Sequence, residues 1–246
     1  MLRINFQDEV VVLVGESKVK FNTHKDILCK SSTFFEAALS KEWLENKTRT
    51  IELPRDKPNL FSTYLQWAYS GVLVDESTDC EDAARAAIFS HLAGVYVLAD
   101  KLGSLALKNC TLDQITSHSQ TWNIIPHPTW VNFVYDNTVE NSKLRDWIVD
   151  RYIHTAASSC GKLDSVKLLP TELVSQYMTQ TMEFRVLGTT CNGLPKGKKE
   201  RCYYHEHDDR VPVCEAPTMQ AVQTGNASGA SRSGITMNRG GRGGRT

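Results

Sequence analysis

The feature that most constrains the fold is a change of hydrophobic period near the start of the chain. Val10–Val14 is an uninterrupted aliphatic run, and beyond the turn-like residues Gly15–Lys18 apolar and polar residues alternate through Phe21. Two such segments predict a β-hairpin. From Lys25 the apolar residues follow helical spacing, and Thr33–Glu36 fits a capping box at the start of a second short helix. A hairpin followed by helices predicts an α+β fold.

Similar signals continue as far as Gly103. Proline ends the next strand because it has no N–H to give to a ladder, and a glycine ends each of the two helices that follow. The predicted elements are a strand at Ile51–Leu53, a helix from Pro58 to Gly71, a strand at Val72–Val74 and a helix from Asp82 to Lys101. The pattern therefore indicates a small sheet capped by helices.

The second half of the chain predicts further helices and then a tail. Helices are expected at Leu105–Gln120, from Pro128 through Val134, over Leu144–Tyr152, and after Pro170, where Leu173, Tyr177, Met178 and Met182 form the apolar stripe. Beyond Gly188 too few apolar residues remain to offset the entropy of ordering the backbone. The predicted organisation is a short N-terminal segment at 1–9, a first domain of sheet and helices at 10–120, a helical extension at 121–187 and a disordered tail at 188–246.

Composition excludes several classes of protein. The chain has 246 residues, of which 41% are hydrophobic, and equal numbers of acidic and basic residues give no net charge at pH 7. Its start lacks a secretory signal pattern, and no apolar run reaches the length of a membrane span. Seven cysteines is an odd number, and Cys29, Cys80, Cys110 and Cys160 have no paired spacing, which favours reduced thiols over disulfides. We therefore expect an intracellular protein without a membrane partner, in either the nucleus or the cytoplasm.

Recognisable catalytic motifs are missing from the sequence. It has no glycine-rich phosphate loop, no nucleophile elbow and no pair of carboxylates placed by a known motif. Histidines such as His91 and His118 are expected at the core edge or on the surface. We therefore expect that the protein is not an enzyme and uses no catalytic residue.

Three groups of residues resemble a known family. They are His24-Lys25-x-Ile27-Leu28 with Ser31-Ser32-x-Phe34-Phe35, Ile51-Glu52-Leu53-Pro54 with Leu65-Gln66-Trp67-Ala68-Tyr69-Ser70-Gly71, and Tyr96-Val97-Leu98-Ala99-Asp100-Lys101-Leu102-Gly103. From about Val10 to Leu107 the chain resembles a BTB/POZ domain of the fungal type. The resemblance implies that six signature residues are mostly structural: His24, Lys25, Leu28, Phe35, Tyr96 and Asp100.

The resemblance also implies a protein–protein interaction module. Two roles fit it, a dimerising scaffold and a substrate adaptor for a cullin-RING ubiquitin ligase, although no kelch repeat or zinc-finger array follows as a substrate module. The region Tyr69–Val74, with the helix after Ser104, resembles the surface that family members use for the cullin. The alternative function is a regulator in which this domain oligomerises and the tail contacts nucleic acid.

Exposed aromatic residues near helix ends are candidate partner contacts. Aromatic side chains often contribute most of the binding free energy at a protein interface. Trp43 stands among charged residues, whereas Trp67 is expected in the core. The candidate partner-binding residues are Trp43, Tyr69, Val72 and Leu73. Many dimeric family members carry an extra strand and helix before the hairpin, and nine residues precede Val10 here. A homodimer with a reduced interface and a monomer both fit.

A group of candidate metal ligands lies in the predicted tail. Cys202, His205, His207 and Cys214 offer the thiolates and imidazoles that bind tetrahedral zinc, and Cys191 lies upstream. Their spacing is not that of a standard zinc finger. Two interpretations remain open: a structural zinc that supplies folding free energy, or a solvated tail that needs no cofactor.

Two basic segments also lie in the tail. Arg239–Arg245 is a short arginine–glycine repeat, and guanidinium groups pair with phosphate or stack on bases. Lys196–Arg201 fits a nuclear address as well as a solvated linker. Contact with nucleic acid is therefore expected to be weak and confined to the tail.

Overall fold

The computed structural model shows a small sheet followed by a succession of helices. It describes residues 8–40, 48–74, 81–159, 167–186 and 201–214, without the side chains at 154–159, 184, 185 and 201. The elements are β1 (Glu9–Val14), β2 (Val19–His24), α1 (Lys25–Ser31), α2 (Thr33–Ala38), β3 (Thr50–Leu53), α3 (Pro58–Ser70), α4 (Asp82–Lys101), α5 (Leu105–Thr121), α6 (Pro128–Asn137), α7 (Lys143–Ser159) and α8 (Thr171–Val186). The predicted α+β fold is confirmed.

The sheet has the strand order β2-β1-β3 within the described residues. The predicted hairpin pairs β1 and β2 antiparallel, with Val12 opposite Phe21, and β3 joins β1 in parallel with Ile51 opposite Val12. Val10, Val12 and Val14 are buried, because alternate side chains of a strand point to the same face. The inner face of the sheet therefore packs against the helices.

An aromatic cluster joins the sheet to the first three helices. Phe35, Phe61 and Tyr64 are fully buried, and the rings of Phe61 and Tyr64 stack with centroids 5.5 Å apart. The Tyr64 hydroxyl lies 2.5 Å from Ser31 Oγ, which ends α1. Burial raises the pKa of Tyr64, so the phenol stays protonated. Helices α1, α2 and α3 therefore pack against the same buried aromatic side chains.

The start of α2 lies one residue earlier than the predicted capping box. Ser32, not Thr33, is the N-cap, and its Oγ accepts a hydrogen bond from the Phe35 N–H at 3.1 Å. The same Oγ donates to the Leu102 carbonyl at 2.5 Å. The serine side chain therefore both caps α2 and ties it to the end of α4.

The predicted strand at Val72–Val74 is wrong. No strand is assigned at these residues, and Ser70 explains why. Ser70 Oγ accepts a hydrogen bond from the Val72 N–H at 3.1 Å and donates to the Val72 carbonyl at 2.9 Å. The Ser70 side chain thus binds both the N–H and the carbonyl of Val72, which strand pairing would need. Gly71, with φ of 73°, turns the chain just before them.

The helical extension packs on α4. The Trp130 indole N–H of α6 donates to the Phe89 carbonyl of α4 at 2.6 Å. Buried Arg145 of α7 stacks 4.5 Å from the Tyr135 ring centroid and donates to Glu172 of α8 at 2.7 Å. These contacts join α4, α6, α7 and α8 in one core.

The predicted stripe of α8 is confirmed at one end and wrong at the other. Leu173 is buried and Tyr177 is partly buried, but Met178 and Met182 are exposed. Near the start of α8, Glu172 pairs with buried Arg145 of α7, and Leu173 and Tyr177 pack against the core. Among the described helices, none combines the length and apolar character needed to cross a bilayer.

The turn between α4 and α5 yields a stability prediction. Gly103 and Gly71 both have positive φ, so alanine at either position costs roughly 1–2 kcal/mol. A Cβ at Gly103 would also lie 2.0 Å from Thr33 Oγ1, whereas a Cβ at Gly71 meets nothing within 4 Å. We expect Gly103→Ala to lower the free energy of unfolding by at least about 1 kcal/mol more than Gly71→Ala in urea titrations.

A double variant identifies the cause of that difference. Adding Thr33→Ala to Gly103→Ala removes the clashing oxygen, so most of the excess loss should be recovered relative to Thr33→Ala alone. Equal losses for the two glycine variants would show that rotation of Thr33 relieves the contact.

Candidate functional site

The C-terminal segment 201–214 folds against the body of the protein. It begins with a 3₁₀ helix, Arg201–Tyr204, and Tyr204 and His205 are buried. This differs from the expected disordered tail at 188–246; residues 188–200 and 215–246 lie outside the described ranges, so disorder there stays a prediction. Composition did not predict an ordered segment at 201–214, because the contacts that order it are made with helices far away in sequence.

Polar contacts attach this segment to α5 and α7. The Tyr204 hydroxyl donates to Asp150 Oδ2 at 2.8 Å. Asn109 makes a paired contact with Glu206: its amide donates to the Glu206 carbonyl at 2.8 Å and its oxygen accepts the Glu206 N–H at 3.0 Å. Burial, together with the Asp150 carboxylate, raises the pKa of Tyr204, so this phenol remains a donor.

The four predicted metal ligands come together in this segment. One ligand atom each of Cys202, His205, His207 and Cys214 lies within 4.8 Å of the others. His205 Nδ1 is 3.1 Å from Cys214 Sγ, and the Cys214 N–H donates to Cys202 Sγ at 3.2 Å. The cluster is therefore a compact set of two sulfur and two nitrogen atoms.

Each imidazole in the cluster has one ring nitrogen held by the surrounding protein. His205 Nε2 lies 2.9 Å from Asp113 Oδ1 of α5, a residue 92 positions away in sequence. His207 Nδ1 lies 3.2 Å from the Val211 carbonyl, and the buried Nε2 of His207 has no hydrogen-bond partner. Sequence reasoning missed Asp113, and no local signal marks it.

A buried lysine lies beside the cluster. The ammonium of Lys108, whose side chain is 6% exposed, is 2.5 Å from Asp100 and 2.7 Å from Glu206. It also lies 5.4 Å from the centroid of the Tyr96 ring. Burial alone lowers the pKa of Lys108, but Tyr96, Asp100 and Glu206 outweigh it and raise the pKa. The charged lysine therefore joins α4, α5 and the C-terminal segment.

The family-signature residues occupy structural positions. His24 Nδ1 lies 2.6 Å from the Tyr69 hydroxyl, and the Lys25 N–H donates to the Asp8 carbonyl. Leu28 and Phe35 are in the core, and the buried Tyr96 hydroxyl is 3.3 Å from Ser142 Oγ. These contacts tie the hairpin to α3 and α4 to the start of α7.

The candidate partner-binding residues divide into different environments. Tyr69 is exposed on its ring, although its hydroxyl is held by Thr23 and His24. Val72 is 62% exposed, whereas Leu73 is buried in the core cluster, and its part in partner binding stays a prediction. Trp43 lies outside the described residues. Val74, which ends the region Tyr69–Val74, is 60% exposed.

A groove of about 380 Å³ lies beside these exposed residues. Its walls come from α1, α2, the end of α3 and the start of α5, with Trp67, Ala68 and Leu105 as apolar lining. Asp208, Arg210 and Val211 of the C-terminal segment close one side. The segment that carries the Cys/His cluster therefore also borders the surface that resembles a partner site.

Comparison with known families identifies the first part of the chain. Residues 4–102 match the family model of the BTB/POZ domain. The chain therefore contains a BTB/POZ domain, a module for protein–protein interaction and oligomerisation that is generally non-enzymatic. Helices α5–α8 and the Cys/His cluster lie beyond the matched residues.

The buried lysine gives a second prediction. Lys108→Met keeps the aliphatic length but leaves two carboxylates without their cation. Because those carboxylates are about one third exposed, the expected loss in free energy of unfolding is about 2 kcal/mol, below the roughly 3–5 kcal/mol of a fully buried pair. Chemical denaturation measures it.

Lys18→Met is the matched control, since its pair with Glu52 is solvent-exposed and should contribute less than about 1 kcal/mol. Because the pKa of Lys108 is raised on folding, its contribution is complete below the unfolded-state pKa and is lost as the pH rises through the folded-state pKa. The two variants should therefore converge only in strongly alkaline solution. Equal losses at neutral pH would contradict this role of Lys108.

Proposed function

We propose that this protein is a non-catalytic adaptor of the kind found among fungal BTB proteins, and that its BTB/POZ domain binds the N-terminal domain of a cullin. The observation that carries the proposal is the exposed apolar pair Val72 and Val74 at the end of α3. These residues lie in the region whose sequence resembles the cullin-binding surface of the family. The protein then contributes binding surfaces to a ubiquitin ligase complex, in the nucleus or the cytoplasm.

The surroundings of this pair suit a protein partner. Tyr69 presents an exposed ring while its hydroxyl is already bonded, so the side chain is held in one position before binding. A rigid aromatic residue loses little conformational entropy on association. The groove lined by Trp67 and Leu105 lies beside it, which gives a binding partner both an apolar surface and a depression.

An adaptor needs a second surface for its substrate. Simultaneous binding of two partners raises the effective concentration of substrate near the ligase without any catalytic group. The helical extension supplies a candidate second surface, since Met178 and Met182 of α8 are exposed. Methionine side chains are flexible and polarisable and suit adaptable binding surfaces.

Binding to a cullin N-terminal domain tests this function directly. We expect the full chain to bind saturably by calorimetry, with Val72→Glu weakening the affinity by at least about tenfold because it buries a charge at the contact. Val139→Glu is the matched control, since Val139 is 59% exposed and lies in the α6–α7 connection. The control variant should bind within about twofold of the wild type.

Three outcomes separate the possibilities. Loss in Val72→Glu alone supports the adaptor and its surface. If the two variants bind the cullin domain with equal affinity, the cullin contact lies elsewhere on the domain. No saturable binding of the wild type at high micromolar concentration would exclude the cullin and leave a self-associating scaffold, whose oligomeric state light scattering reports.

The alternative function is a regulator that contacts nucleic acid through Arg239–Arg245, which lies outside the described residues. Removing residues 215–246 deletes this repeat and keeps the segment 201–214. An affinity for RNA that falls steeply with salt and disappears in the truncated chain would favour this alternative.

A further inference from the structure

We propose that Cys202, His205, His207 and Cys214 bind one structural Zn²⁺, which fastens the segment 201–214 to α5 and α7. The four ligand atoms lie within 4.8 Å of one another. A tetrahedral zinc with bonds of about 2.0–2.3 Å places its ligand atoms roughly 3.3–3.8 Å apart. Small side-chain movements therefore close the site around the ion.

The donor set selects the metal. Two thiolates and two imidazoles favour zinc over calcium or magnesium, which prefer oxygen ligands. Four protein ligands leave no open coordination position for water or substrate. The site is therefore structural rather than catalytic, in agreement with an interaction module.

In each histidine, a hydrogen bond to one ring nitrogen leaves the other nitrogen as the metal ligand. Asp113 holds Nε2 of His205, which directs Nδ1 toward Cys214 and the cluster. The Val211 carbonyl holds Nδ1 of His207 and leaves the buried Nε2 as its ligand atom. A ligating histidine almost always donates its other N–H to a carboxylate or a backbone carbonyl, and one of each is present here.

The free energy of ordering the segment supports the same inference. Among the described side chains at 202–214, Tyr204 and His205 are buried and the others are partly or fully exposed. Two buried side chains, a few hydrogen bonds and the ion pairs of Glu206 and Arg210 stabilise a segment of this length weakly, because each ordered residue costs roughly 1–2 kcal/mol of backbone entropy. Zinc binding supplies folding free energy of the order of 10 kcal/mol.

The site has a consequence for the groove beside the BTB/POZ domain. Asp208, Arg210 and Val211 line that groove and lie between the ligands His207 and Cys214. Arg210 also forms an ion pair with Glu36 of α2. Zinc would therefore hold one wall of the groove in place.

Metal analysis of the full chain tests the proposal without any binding partner. We expect about one zinc per chain after purification, and a Co²⁺-substituted protein with the intense visible bands and thiolate charge-transfer absorption of a tetrahedral site. Cys202→Ser combined with Cys214→Ser should abolish both signals. Cys29→Ser is the matched control, since Cys29 is another partly buried free cysteine and should leave both signals unchanged.

Asp113→Asn tests whether the Asp113 carboxylate positions His205 for the metal. It keeps the size of the side chain but removes the carboxylate beside His205, so chelator competition should show a zinc affinity lower by about 10- to 100-fold, with the tetrahedral cobalt spectrum retained. A purified wild type that lacks zinc and gives no tetrahedral spectrum after addition of Zn²⁺ or Co²⁺ would overturn the proposal. Metal bound equally by the double-cysteine variant would overturn it as well.

Discussion

The ammonium of Lys108 is the interaction that links α4, α5 and the C-terminal segment 201–214. It sits on α5 and meets Asp100 of α4 and Glu206 of the C-terminal segment, with the Tyr96 ring alongside. A buried cation requires carboxylate partners, because desolvation without them costs several kcal/mol. One buried cation therefore holds together the end of the BTB/POZ domain, the following helix α5 and the C-terminal segment.

The groove beside Tyr69 depends on the same packing of the BTB/POZ domain, α5 and the C-terminal segment. The α4–α5 turn at Gly103 contacts the start of α2, and the groove beside Tyr69 lies between α3 and α5. The C-terminal segment closes one side of that groove through Val211. The groove beside the proposed partner contacts is thus built from the BTB/POZ domain together with residues beyond it.

Much of the fold followed from local patterns. The hairpin, β3 and the helices from Pro58 onward were predicted by hydrophobic period and by the prolines and glycines that bound them. The errors arose where a side chain altered a local preference, as Ser70 does at Val72. The ligand types of the Cys/His cluster were also visible, but Asp113 and Lys108 were not, because their partners lie far away in sequence.

The sequence by itself determined the period of each strand and helix, the BTB/POZ signature and the chemistry of the candidate ligands. Tertiary structure alone decided that Leu73 is buried while Val72 is exposed, and that residues 201–214 pack on helices. The physical reason is the range of the interactions. Periodicity and capping act within a few residues, whereas Tyr204–Asp150 and His205–Asp113 join positions 54 and 92 residues apart and exist only in the folded chain.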